Sequence, residues 1–300
     1  MPCRRGTDVG PPPLWLLLAL LCALAWAAAD GLCKRALREH GESAVLGARW
    51  FYALPPLLAA LAFVPWPPLD GVFWGVLALS APLEVGTMFL YLRAIAIAPL
   101  SLTAPLLAWT PVFSAGFSAL VLREVPTPAG FAGILLVAAG SWLLYSSEGC
   151  EALGPLRCIA RERGARLMLG VALLFSATSA LGKVGLLHSS AAFFGPVYVA
   201  ALAVVLAAVS LARGRGRELV SQLRPNRWFF AIGAAVAAMT LLHFTAIGMT
   251  KVAYMIAVKR SSLLASVLIG RVFFGERGLG RRLPGAALML AGVMLLVLYG

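Results

Sequence analysis

The stretch Leu120 to Gly140, LVLREVPTPAGFAGILLVAAG, has a second copy 152 residues further on, Val272 to Gly292, VFFGERGLGRRLPGAALMLAG. In this register Glu124 falls on Glu276, Gly133 on Gly285 and Gly140 on Gly292. The same offset places Ala94-Ile95 on Ala246-Ile247 and Ser114 on Ser266. Each copy is an apolar run, a short Glu-bearing break and a second apolar run containing Gly. Self-similarity at a fixed offset marks a duplicated structural unit.

Composition sets the solvent. With 61% hydrophobic and 12% charged residues and a mean hydropathy of +0.90, the chain lacks the polar residues to cover a water-facing surface. A hydrocarbon core about 30 Å thick needs roughly 20 apolar residues per helix, and ten runs of that length are present. They are Leu14 to Leu32, Val45 to Val64, Val72 to Leu92, Ser101 to Leu122, Pro128 to Tyr145, Leu167 to Leu187, Ala191 to Leu211, Trp228 to Ile247, Val252 to Phe273 and Leu283 to Tyr299. The expected fold is an all-α integral membrane protein with ten transmembrane helices in two five-helix repeats. Residues 1–146 and 167–300 form the repeats and 147–166 the polar connection. An odd number of crossings per repeat inverts the second half relative to the first, a plan shared by many secondary transporters.

Arg4-Arg5, the apolar run and Ala27-Ala28-Ala29 mimic a cleaved signal peptide. At an offset of 149, however, Lys34 matches Lys183 and Leu37 matches Leu186. The first span therefore has a mid-chain counterpart and is expected to be retained. Sixteen Lys and Arg residues lie in the loops after spans one, three, five, seven and nine, against four on the opposite side (Arg4, Arg5, Arg123 and Lys251). The charge rule then places both termini outside. Dispersed through short loops, these cations account for the net charge of +13 without a nucleic-acid partner; they face anionic lipid headgroups. Cys150 and Cys158 are expected to be free thiols if their loop is cytoplasmic.

The two Glu-bearing segments quoted above resemble the EamA repeat of the drug/metabolite transporter superfamily, and the resemblance covers nearly the whole chain. In the first copy Arg123 stands where the pattern has Gly. The resemblance implies ten helices in two inverted repeats, transport of small metabolites and cytoplasmic termini, the last differing from what the loop charges predict.

Polar side chains inside the hydrocarbon are costly and by default face the bundle interior. Ser80, Glu84, Thr87 and Tyr91 are spaced i, i+4, i+7 and i+11, on one face of span three. Lys259 shares a stripe of span nine with Ser262, Ser266 and Gly270, while Arg260 is turned about 100° away. At the 152 offset Lys259 and Arg260 replace Leu107 and Ala108, and Glu84 faces Val236. A charge replacing an apolar residue is an expensive kind of drift, so we expect Glu84 to meet Lys259 or Arg260 between the halves. Thr110 and Ser114 lie with Pro105 and Pro111 in span four, where proline frees carbonyls for a ligand. Lys183 shares a face with Ser176 and Ser179 near a helix end, within reach of the interface by snorkelling. His243 in span eight suits a proton relay, although a lone His in a bundle also serves simply as a hydrogen-bonding group. For Glu84 the corresponding structural reading is a hydrogen-bonded carboxyl joining two helices.

No phosphate-binding GxxxxGK[ST] or HExxH motif occurs, and His40, His188 and His243 are scattered. No loop could house a soluble catalytic domain, so neither an enzyme nor a cofactor or metal is expected. The reading is a secondary active transporter of the cell membrane that exports a small metabolite, with protons coupled through Glu84. Lys259 would anchor an anionic or zwitterionic solute and Tyr91 orient it. A homodimer is left open. The rivals are a lipid-translocating or lipid-binding protein and a non-transporting accessory subunit.

Overall fold

The computed structural model describes residues 14–97, 106–146, 162–215, 226–264 and 279–299. Among these the regular secondary structure is all helix, without strands. The elements are α1 (Leu14–Ala36), α2 (Glu42–Phe51), α3 (Leu54–Leu61), α4 (Gly71–Ile97), α5 (Thr110–Leu122), α6 (Pro128–Ser146), α7 (Arg163–Leu187), α8 (Ala191–Ala212), α9 (Arg227–Met249), α10 (Val252–Lys259) and α11 (Leu279–Tyr299). Counting α2 and α3 as one, six are long and apolar enough to cross a membrane, and the parts Thr110–Leu122, Pro128–Leu143 and Leu283–Tyr299 are shorter apolar helices. The eight-residue α10 occupies the start of the ninth expected span. Cys3, Cys150, Cys158, Thr103, Pro105, Ser266 and Glu276 lie outside the described residues.

Helix α6 packs on α11 and α1 on α9, while α4 packs on α7 and α5 on both α7 and α10. Within the pairs α6–α11 and α1–α9 the helices run antiparallel, as paired contacts reveal. A Cβ on Gly133 would lie 2.9 Å from the Gly292 carbonyl, and one on Gly140 would lie 2.7 Å from that of Gly285. The early residue of one helix thus meets the late residue of the other. Along α1 and α9, the Cys22 thiol approaches the Met239 carbonyl at 3.6 Å, whereas Arg35 lies over the Trp228 ring. The duplicated glycines are the sites where two backbones touch, which any side chain would prevent.

Two helices are interrupted at equivalent places. Ahead of α5 the helix breaks at Ala108-Trp109, just before Pro111, and after α10 it breaks at Arg260-Ser261. These breaks are 152 residues apart. Pro111 lacks the N–H that would continue the ladder and its ring crowds the preceding turn. The second break has no proline and carries Arg260 instead.

Matched contacts also tie helix ends. Asp70 Oδ1 accepts the Phe73 N–H at 2.9 Å and so caps α4, while its Oδ2 lies 2.6 Å from His188 Nδ1 at the end of α7. The Phe73 N–H, and then His188, hold the Asp70 carboxyl below its ordinary pKa. Asn226 caps α9 through the Trp228 N–H and contacts His40, beyond α1, at 3.0 Å.

Replacing Gly140 with Val is expected to push α6 off α11, because the added carbon would meet the Met289 backbone nitrogen at 2.6 Å. Overpacking of this kind costs about 1–3 kcal/mol, read as a lowered melting temperature of the purified protein. Gly75→Ala, where a Cβ meets nothing within 4 Å, should leave it nearly unchanged.

Candidate functional site

The polar interior begins with Arg49. Helix α2 buries it to 2% exposure, and its guanidinium pairs with Asp30 of α1 at 3.4 Å and donates to the Cys33 sulfur at 3.4 Å. Tyr91 donates to the other Asp30 oxygen at 3.4 Å. Arg49 also sits 5.4 Å from the centre of the Trp26 ring. The Lys259 ammonium is 4.2 Å from the same ring and 3.8 Å from the Met239 sulfur. Two cations thus share one indole, whose negative π-face attracts both.

These groups open on a cavity of about 100 Å³ lined by residues of α1, α2, α4, α5, α7, α8, α9 and α10 and by Arg260 at the second helix break. Its charged or titratable lining is Arg49, Glu84, His243, Lys259 and Arg260, with Tyr198. Glu84 accepts a 2.7 Å hydrogen bond from Thr178. Arg260 is 7% exposed and donates to Thr110 Oγ1 at 2.9 Å, which joins the two broken spans across the interface between the halves. Arg49 Nε, Arg260 Nε and His243 Nδ1 are buried without a hydrogen-bond partner among the described residues. Unsatisfied buried polar atoms of this kind require a reason.

The sequence-expected residues separate into those the cavity gathers and those it does not. Glu84, Lys259, Arg260, His243 and Thr110 line it. The expected meeting of Glu84 with Lys259 or Arg260 is not an ion pair here: neither cation pairs with a described carboxylate. Arg260 was expected to turn away from Lys259, but that geometry assumes a continuous helix, and the break at Arg260 swings its side chain into the same cavity. On α4, Ser80 donates to the Val76 carbonyl at 2.6 Å and Thr87 to that of Leu83 at 2.7 Å, so both are satisfied by their own helix. Tyr91 belongs to the Asp30 cluster behind the cavity. Ser114 is buried with an unpaired hydroxyl and Ser262 is buried, yet neither lines the cavity.

Lys183 does not reach outward to the interface. It forms an ion pair with Glu124 and donates to the Thr250 carbonyl at 2.7 Å, while the second Glu124 oxygen accepts the Val252 N–H at 3.0 Å. The Glu of the first repeated motif therefore joins α7 to the start of α10. Arg49, Asp30, Trp26 and Thr178 were not anticipated. Arg49 and Asp30 carried a usable signal, a charge within an apolar run; Trp26 and Thr178 carried none.

Taken together, these features define a multi-pass helical membrane protein whose antiparallel packing encloses a cationic cavity. Residues 13–146 match the model of the EamA-like transporter family, a match consistent with the drug/metabolite transporter superfamily. A solved structure, "Crystal structure of protein", superposes with a TM-score of 0.72 at 16% identity, covering 95% of this chain and 96% of that one. At that identity the likeness is one of fold. A sequence comparison with curated proteins gives no match.

Removing one partner of a buried ion pair costs about 3–5 kcal/mol. Glu124→Ala is therefore expected to lower thermal stability by more than Ser80→Ala does, and Glu124→Ala combined with Lys183→Met should recover part of the loss in the same melting measurement.

Proposed function

We propose that the chain is a secondary transporter of two inverted five-helix repeats, residues 1–146 and 167–300, that moves a small anionic or zwitterionic solute across the cell membrane by alternating access. The observation that carries this reading is the position of Lys259 and Arg260. Both line one cavity at a helix break between the halves, and neither is in an ion pair with a described carboxylate. Buried cations lacking such a partner are poised for an acidic group brought by a solute. The antiparallel α6–α11 contact and the breaks repeated at one offset support the inverted-repeat plan, in which discontinuous helices offer ends and carbonyls to a solute.

In this reading Lys259 and Arg260 anchor the acidic group. Glu84 is the proton site, because it is a carboxylate lining the cavity and its Thr178 hydroxyl partner can donate to either protonation state through a retained lone pair. His243 stands beside the path as a second proton acceptor. Lys183 holds one end of the bundle closed through Glu124 and does not touch the solute. The direction is export, with both termini outside, and a homodimer is compatible with it.

Purified protein in liposomes, loaded with candidate solutes and given a pH gradient, tests the proposal. Wild type should accumulate a solute in response to the gradient. Glu84→Gln should exchange solute yet lose gradient-driven accumulation, and Lys259→Met should reduce transport roughly tenfold or more by removing an interaction with the solute. Movement of lipid analogues alone, with no soluble substrate, would contradict the reading.

A further inference from the structure

Resting on the transporter reading of this cavity, we infer that its solute is a compact dianion, either two acidic groups on a few carbons or a phosphate, held by Arg49 together with the Lys259–Arg260 pair. Three features carry this.

The first is the donor set. Among the described residues, Arg49 Nε and Arg260 Nε each carry a proton with no acceptor, and the two arginines come from different elements, α2 and the break after α10. Among the described residues, the partners of the Lys259 ammonium are the Trp26 face and the Met239 thioether. A single carboxylate has two oxygens in one plane and suits one guanidinium fork. Two acidic groups, or the tetrahedral oxygens of a phosphate, can satisfy donors from both elements.

The second is charge. Arg49, Lys259 and Arg260 bring three positive charges; Glu84 in the lining and Asp30 behind Arg49 offset two when ionised. The site is cationic even with both carboxylates charged, and more so whenever Glu84 holds a proton. The ammonium of a zwitterion would add to that excess.

The third is size. A cavity of about 100 Å³ is smaller than the roughly 150 Å³ cavity that admits benzene. In the state described it suits a body of a few heavy atoms.

The test compares ligands of equal carbon number on the full-length protein in uncharged detergent at neutral pH. Malonate, propionate and alanine, with inorganic phosphate as a fourth ligand and phosphatidate added to the micelles as a fifth, are titrated against the melting temperature, which rises with any ligand selective for the folded state. Malonate or phosphate should bind at least tenfold more tightly than propionate or alanine. Lys259→Met and Arg260→Gln should erase that preference, and Lys259→Arg should keep it. Propionate or alanine binding as tightly as malonate would overturn the dianion assignment while leaving a transporter of another solute. A response to phosphatidate alone would overturn it in favour of a lipid headgroup. Silence from every soluble ligand also overturns it, and the liposome assay then separates a wrong ligand class from a protein that transports nothing. If a variant fails to fold, the wild-type ranking of malonate against propionate decides by itself.

Discussion

Holding three cationic side chains within a bundle that lies in hydrocarbon is the constraint on which the rest of the structure depends. An isolated charge in that environment is strongly destabilising, and each cation here is handled differently. Arg49 is neutralised by Asp30, with Tyr91 holding the carboxylate from its other side. Lys259 rests on an aromatic face. Arg260 is held by a hydroxyl across the interface between the halves. The first arrangement is an ion pair, but the other two solvate a charge without cancelling it. That contrast leaves Lys259 and Arg260 with uncancelled charge for a solute and Arg49 with its Nε–H alone.

Duplication explains where this cluster can form. Antiparallel contact through Gly133, Gly140, Gly285 and Gly292 brings α6 and α11 backbone to backbone, and the equivalent breaks in the fourth and ninth spans then face each other. Symmetry supplies the broken helices, whereas asymmetry supplies the chemistry. Arg260 occupies the second break where the first has Ala108, and it bonds to Thr110 of the first. Glu124 and Lys183 perform a different task, tying the first repeated motif to the start of α10.

Much of the architecture was legible because membrane helices announce themselves by length and apolarity, and the repeated glycines by their fixed offset. The site was legible in part. Glu84, Lys259, Arg260, His243 and Thr110 were found by asking which polar residues lie deep in apolar runs. Ser80 and Thr87 satisfy the same rule, yet they bond to carbonyls of their own turn, an outcome that helical spacing cannot distinguish from a pathway. Arg260 was misplaced by a helical wheel because nothing resembling Pro111 marks the second break. Arg49 and Asp30 escaped notice because each lies close to the end of its apolar run, where a charge ordinarily reaches water. Their pairing depends on how α1 meets α2.

The central claim is that the cationic cavity is a passage open to each side in turn. Ser179, which lines the cavity, can be changed to Cys in a protein whose native cysteines have been replaced, reconstituted in liposomes and exposed to a membrane-impermeant thiol reagent from one face and then the other. Alternating access predicts labelling from both faces, slowed by a bound solute. Labelling from neither face would contradict it and leave the cluster as a sealed structural core.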